Sequence, residues 1–285
     1  LLAAELAQAS ASPAGLYKLR PPATLTPLDR ARGGYFAEWL ARPRYDGYWQ
    51  ATATDLTAID VPALHIAGWF DTFVTRSFAT YTALADAGRA PQSFLVGPWQ
   101  HMPWSRYGAG TDFGPAASPG IVDELQLAWF AHWLKDEDVE LPKPRFFITG
   151  ANSWLTGWPT SEDCAMHLDS DGRANSLDGT GVLTTAVPRG LPDVYVHDPA
   201  IPVPTLTGGP TMYSYDLGPY DQRPIQARND VLVFMSAALA VPLRVFGEPW
   251  LELWASSSGH DADFVVHLAE VLPSGEARAV SFGVL

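Results

Sequence analysis

Two short apolar runs, each closed by a glycine and separated by one amphipathic helical stretch, constrain this chain most. The first is Val61-Pro62-Ala63-Leu64-His65-Ile66-Ala67, which ends in Gly68-Trp69-Phe70-Asp71. The second is Ser93-Phe94-Leu95-Val96, which ends in Gly97-Pro98-Trp99-Gln100-His101. Runs this short and this apolar read as strands buried on both faces. Between them, Thr75 to Ala87 places Phe78, Tyr81 and Ala85 on one helical face, and Gly88 follows as a stop. Strands alternating with helices in this order imply a parallel sheet. Ligands of parallel sheets sit beyond the carboxyl ends of the strands, where Asp71 and His101 fall.

A carboxylate and an imidazole at adjacent strand exits are what a serine hydrolase uses to orient its base. The imidazole takes the hydroxyl proton and returns it to the leaving group, while the carboxylate holds the ring's tautomer and stabilises its cation. In the α/β-hydrolase order the acid precedes the base, as Asp71 precedes His101. Taken singly, Asp71 also reads as a helix cap or turn residue, and His101 as a loop histidine. Their joint spacing and the flanking tryptophans favour the pair. The nucleophile elbow G-x-S-x-G is absent from residues 1–285. The nearest look-alikes, around Ser153 and Ser258, lie in strand-rich sequence and do not open helices, so the chain reads as two thirds of a triad.

The rest of the chain divides by grammar. Residues 1–45 combine short helical stretches (Leu1 to Leu6 and Tyr35 to Leu40) with Pro21-Pro22, Pro27 and Gly33-Gly34. Residues 46–142 carry the strand–helix alternation and a second helix, Val122 to Lys135, with Leu125, Trp129 and Trp133 at helical spacing. From 143 to 285 the pattern turns to period two. Arg145 to Gly150, Val231 to Phe234, Trp250 to Ala255 and Phe264 to Ala269 read as strands of a β-sandwich. Pro188 to Pro224 reads as a long surface connection.

The formal net charge of -13 argues against nucleic acid and anionic membrane surfaces as partners. No apolar run approaches a membrane span. Cys164 is the only cysteine and reads as a half-buried small residue. A chain without disulfides fits the cytoplasm, and fits many secreted enzymes equally. His65, beside Leu64 and Ile66, reads as a satisfied core histidine; His132 and His267 read as structural. His260-Asp261-Ala262-Asp263 has the composition of a metal site but matches the commoner acidic turn, so no metal or cofactor is expected. Trp69, Phe70, Trp99, Trp104 and Tyr107 either wall an apolar substrate pocket or pack the loop after His101.

In combination these stretches resemble the CocE/NonD hydrolases, the cocaine esterase and X-Pro dipeptidyl-peptidase group that includes α-amino acid ester hydrolases. The resemblance is carried by Asp46-Gly47-Tyr48-Trp49, by the runs ending at Asp71 and His101, by Asp198-Pro199-Ala200-Ile201-Pro202 through Leu206, by Asn229 to Phe234 and by Asp261 to Val266. It implies an α/β-hydrolase with an inserted helical cap, followed by a jelly-roll β-sandwich, with residues 1–45 as the tail of the cap. It implies Asp71 as triad acid and His101 as base, acting on a small ester, amide or short peptide. The family's serine and oxyanion tyrosine belong to an N-terminal hydrolase segment that this sequence does not contain. On this reading the chain is a C-terminal fragment or one half of a split enzyme, inactive alone, whose open sheet edge invites association with that segment or with a second copy. The rival readings are a non-catalytic β-sandwich binding module on an α/β scaffold, and a metal hydrolase using His260 and Asp263.

Overall fold

The computed structural model describes residues 35–101, 104–206, 217–260 and 262–285. The expected helix at Leu1 to Leu6 lies outside them. The chain forms two compact units, Leu1–Asp55 and Leu56–Leu285. In the described part of the first, α1 (Phe36–Leu40) and α2 (Gly47–Thr52) are joined by a short turn. Asp46 caps α2 by accepting the Tyr48 N–H at 3.0 Å and pairs with Arg42, also at 3.0 Å. Trp39 and Trp49 bring their rings to 5.4 Å, which holds the two short helices together.

The second unit opens with the expected crossover. β1 (Ala63–Gly68), α3 (Val74–Ala87) and β2 (Gln92–Gly97) follow in order, and the strands pair in parallel from Ala63 opposite Gln92 to Gly68 opposite Gly97. Gly88 ends α3 in the left-handed conformation, at φ 61°. The chain then passes through β3 (Tyr107–Gly108) and β4 (Thr111–Asp112), a small antiparallel pair, into α4 (Gly120–Lys135).

β5 (Arg145–Ile148) adds to β2 in parallel, and β6 (Ser153–Thr156) returns antiparallel beside it, giving the order β1-β2-β5-β6. The change of grammar near residue 143 is therefore not a break in the sheet. The first strand of the β-rich sequence completes the sheet that carries Asp71 and His101. Its backbone hydrogen bonds go to β2, because β2 needs a partner on its second edge.

Both faces of this sheet are covered, as its apolar strands require. Ala67, Phe94, Val96 and Phe146 face α3 and form one buried cluster with Trp69, Phe78, Tyr81 and Phe246. Leu95, Trp99 and Val122 form a second cluster with Ile66, Trp104, Leu125 and Trp154, closed by α4.

The remaining segments form β7 (His167–Asp169) with β8 (Val182–Thr184), the short helix α5 (Arg223–Gln226), and β9 (Val265–Val271) with β10 (Ala277–Val284). Two expected strands do not form. Val231 to Phe234 contributes only a single bridge, Leu232 to Asn175. Trp250 to Ala255 has no ladder partner among the described residues, and Trp250 and Trp254 stand 80% and 91% exposed. Alternation assigns residues to faces but supplies no neighbour to bond to. A closed sandwich is accordingly not present among the described residues, whose β-rich part consists of two-stranded ladders. Cys164 is exposed, not half-buried, because its stretch has no regular structure and no cover.

Candidate active site

The site is built where β1 and β2 end. Beyond the last residues of the ladder the two chains stay bonded. The Trp69 N–H donates to the Gly97 carbonyl at 2.8 Å, and the Phe70 N–H to the Trp99 carbonyl at 3.0 Å. Two glycines permit this approach. A Cβ on Gly68 would lie 2.0 Å from the Trp99 carbonyl oxygen, and a Cβ on Gly97 would lie 2.4 Å from the Trp99 indole. Trp99 is thus the plug around which both strand ends fold, and its indole N–H is satisfied by the Ala117 carbonyl at 2.8 Å.

Asp71 follows at once, where a tight turn donates its N–H to the Gly68 carbonyl at 3.0 Å. Its two carboxylate oxygens have different tasks. Oδ1 accepts the Phe73 N–H at 2.9 Å and shapes the entry into α3. Oδ2 lies 3.1 Å from Nδ1 of His101. The turn role and the pairing role, alternatives at the level of sequence, are both filled by this one side chain. The carboxylate also stands at the positive end of α3, where a negative charge is favoured.

The carboxylate has only 9% of its side chain exposed, whereas the imidazole has 35%. An ionised carboxylate can only accept, so Nδ1 carries the proton and Nε2 is left with a lone pair. Nε2 bonds to none of the described residues, and a third of the ring is open. The Phe73 ring packs edge-on against the imidazole at 5.1 Å and limits its swing. An oriented, tautomer-locked imidazole with a free acceptor nitrogen can accept a proton from a hydroxyl and later return it.

The aromatic residues expected near the site divide. Trp99 is fully buried, so it packs the core and presents no wall to a substrate. Trp69 spends its indole N–H on the Phe147 carbonyl at 2.7 Å and stacks on Phe78 at 5.6 Å. Phe70 stacks on Phe113 of the loop after His101, and Trp104 leans on Trp99 at 6.0 Å. Burial takes Trp99 out of any pocket wall, whereas Trp69, Phe70 and Trp104 pack on the core and loop and keep part of their surface open, and Tyr107 is exposed.

His65 is half-buried, with Nε2 2.9 Å from the Gln92 side-chain oxygen and its ring edge-on to Tyr81 and Phe94. Ser153 begins β6 and does not open a helix. His260 and Asp263 are exposed, and Asp261 lies outside the described residues. Among the described residues, no three His, Cys, Asp or Glu side chains gather at distances suited to an ion. No helix among them is long and apolar enough to cross a membrane.

Sequence reasoning missed three contributors. Phe73 had no signal beyond its position after Asp71. Gln100 had one in plain view: a polar residue between Trp99 and His101, and it is buried. Phe246 had none, because it comes from unpatterned sequence and still enters the cluster behind Trp69.

The chain is similar in sequence and fold to known proteins. Residues 4–103 match the X-Pro dipeptidyl-peptidase (S15 family) model, and residues 141–285 match that of the X-Pro dipeptidyl-peptidase C-terminal non-catalytic domain. Cocaine esterase from Rhodococcus sp. (strain MB1 Bresler) is 35% identical over 281 residues, covering 92% of this chain and 49% of that protein. An aminopeptidase from a marine sediment Thaumarchaeota archaeon superposes with a TM-score of 0.68 at 27% identity, covering 88% of this chain and 45% of that one. A selenomethionine-labelled α-amino acid ester hydrolase superposes with a TM-score of 0.67 at 23% identity and the same coverages, a likeness of fold. The chain spans about half the length of these relatives. It belongs to the CocE/NonD, X-Pro dipeptidyl-peptidase-like family of hydrolases and corresponds to that family's C-terminal portion.

Proposed function

We propose that this chain supplies the acid and the base of a serine hydrolase that cleaves esters or amides through an acyl-enzyme. The observation that carries the reading is the 3.1 Å approach of Asp71 Oδ2 to His101 Nδ1 at the ends of two parallel strands. His101 Nε2 removes the proton from a serine hydroxyl. The oxygen attacks the acyl carbon, and the same nitrogen protonates the leaving alcohol or amine. Water then repeats the cycle and releases the acid. Asp71 keeps the ring in the required tautomer and stabilises the cation that forms in each half-reaction.

The attacking serine comes from sequence outside residues 1–285, so this chain alone turns over negligibly. On this reading, residues 1–45 are the end of a helical cap, 46–142 close the hydrolase domain together with β5 and β6, and the rest of 143–285 belongs to a jelly-roll module. The substrate is a small ester, an amide or a short peptide; the relatives include esterases and peptidases.

Fluorophosphonate labelling of the intact gene product tests this. The expected result is covalent capture that Asp71→Asn slows by roughly 10⁴ and His101→Ala slows at least as much, because the wrong tautomer or no base remains. Absence of capture, or capture indifferent to both changes, favours the non-catalytic binding module instead.

A further inference from the structure

We propose that Gln100 is a positioning residue, which ties the histidine loop to the family's nominally non-catalytic C-terminal portion through the backbone of Leu217. The proposal rests on the reading of His101 as general base. Gln100 lies directly before His101 and is only 6% exposed. Its Oε1 accepts the Leu217 N–H at 3.0 Å across 117 residues of chain.

The bond does not stand alone. A Cβ on Gly108 would lie 2.8 Å from the Leu217 carbonyl oxygen, and one on Gly218 would lie 2.7 Å from the Gly108 carbonyl carbon. Backbone therefore rests on backbone where Leu217-Gly218 crosses the loop downstream of His101. Phe113, four residues beyond Ala109 in that loop, is itself buried and stacks on Phe70, the neighbour of Asp71. The histidine is thus held from two sides: by the strand ends through Trp99, and by the C-terminal segment through Gln100.

A group whose amide is buried and bonded to a distant backbone donor has one low-energy placement. Without the acceptor, the Leu217 N–H is left buried without this partner, and the local chain shifts to relieve it. A displacement near 1 Å at a catalytic group costs about 10²-fold in rate. It alters the geometry of proton transfer and leaves substrate contacts in place, so the loss falls on kcat and not on KM.

The test uses the intact protein, with a p-nitrophenyl ester as probe. Gln100→Met keeps the length and removes the acceptor; Gln100→Glu keeps the acceptor. The expected outcome is a 10- to 100-fold fall in kcat for Gln100→Met, about the range set by that displacement, with KM unchanged and substantial recovery in Gln100→Glu. Full kcat in Gln100→Met, while His101→Ala is dead, overturns this proposal and leaves the functional reading intact. Wild-type activity that is absent or indifferent to His101→Ala overturns both. Hydrogen exchange on unaltered protein gives a measurement free of variant folding. The Leu217 amide is expected to exchange as slowly as those of β2, and rapid exchange there overturns the bond on which the proposal stands.

Discussion

Replacing Gly68 by alanine tests the physical basis of the site most directly. The added Cβ would stand 2.0 Å from the Trp99 carbonyl oxygen, 2.5 Å from its carbon and 3.1 Å from Cα, all backbone atoms. Restoring ordinary contact at 3.4 Å requires the strand ends to part by about 1.4 Å. Trp99 cannot yield, since its side chain is fully buried and bonded to Ala117. The separation breaks the 3.0 Å bond from the Phe70 N–H to the Trp99 carbonyl and carries Asp71 away from His101. Overpacking of this kind costs about 1–3 kcal/mol, and a lost backbone hydrogen bond adds about 1 kcal/mol. The sum is about 2–4 kcal/mol, which at a urea dependence of about 2 kcal/mol per molar lowers the midpoint by about 1–2 M. The assay is urea unfolding of the chain, paired with the NMR signal of the His101 Nδ1 proton, which should disappear from its hydrogen-bonded position. Gly120→Ala is the control. It opens α4 with nothing within 4 Å of the new Cβ, and should be neutral or stabilising by up to about 1 kcal/mol. A midpoint for Gly68→Ala within about 0.3 M of wild type, with the imidazole signal retained, would refute the argument that glycine is there for close approach.

Other outcomes follow from the same coordinates. Phe246→Ala should cost about 2–3 kcal/mol in thermal or urea unfolding, below the range for fully buried phenylalanine because this ring is half-buried against Trp69, Phe78 and Phe146. An effect under 0.5 kcal/mol, within the range of ordinary surface changes, would mean that the ring does not seal that cluster. Asp221 has its pKa held down to about 2, chiefly by the Arg223 guanidinium, against some opposition from burial and with help from the Ala277 and Arg223 N–H groups. A carboxyl favoured as its anion in the fold stabilises above its unfolded value near 3.8 and loses that contribution as pH falls towards 2. The urea midpoint of wild type should therefore drop more steeply than that of Asp221→Asn between about pH 5 and pH 2; parallel profiles would contradict the pairing. His267, exposed on β9 with its ring stacked on Phe282, has its pKa lowered as well, by partial desolvation that disfavours the imidazolium. His267→Gln should then remove only a small loss of stability that wild type suffers as pH falls below the ordinary histidine range, since solvent screens the exposed ring; midpoints measured across that range check it.

Much of the site was legible in one dimension because its parts are local. A strand, a glycine and a polar exit residue lie within ten residues of one another, and two such blocks around one helix specify a parallel pair with both exits at one edge. Asp71 and His101 could be named from that pattern alone. The β-rich half was less legible, since alternation in Trp250 to Ala255 says which side chains share a face and nothing about which strand lies alongside. Arg145 to Ile148 read correctly as a strand, but its partner, β2, lies half a hundred residues upstream, and only the fold reveals that the pairing is parallel.

The amino-acid order by itself determined the β-α-β crossover, the helix ends and the placement of Asp71 and His101 at adjacent strand exits, because each depends on neighbours within a few turns of chain. Tertiary structure alone decided three further matters. Trp99 became a core plug and not a pocket wall. Phe246 and Leu217 reached back to brace the strand ends. The Asp71 carboxylate came to divide its two oxygens between a turn and an imidazole. Each of these depends on segments far apart in sequence meeting in space, and the energy that selects such meetings, burial of apolar surface with every buried polar group paired, is a property of the packed whole.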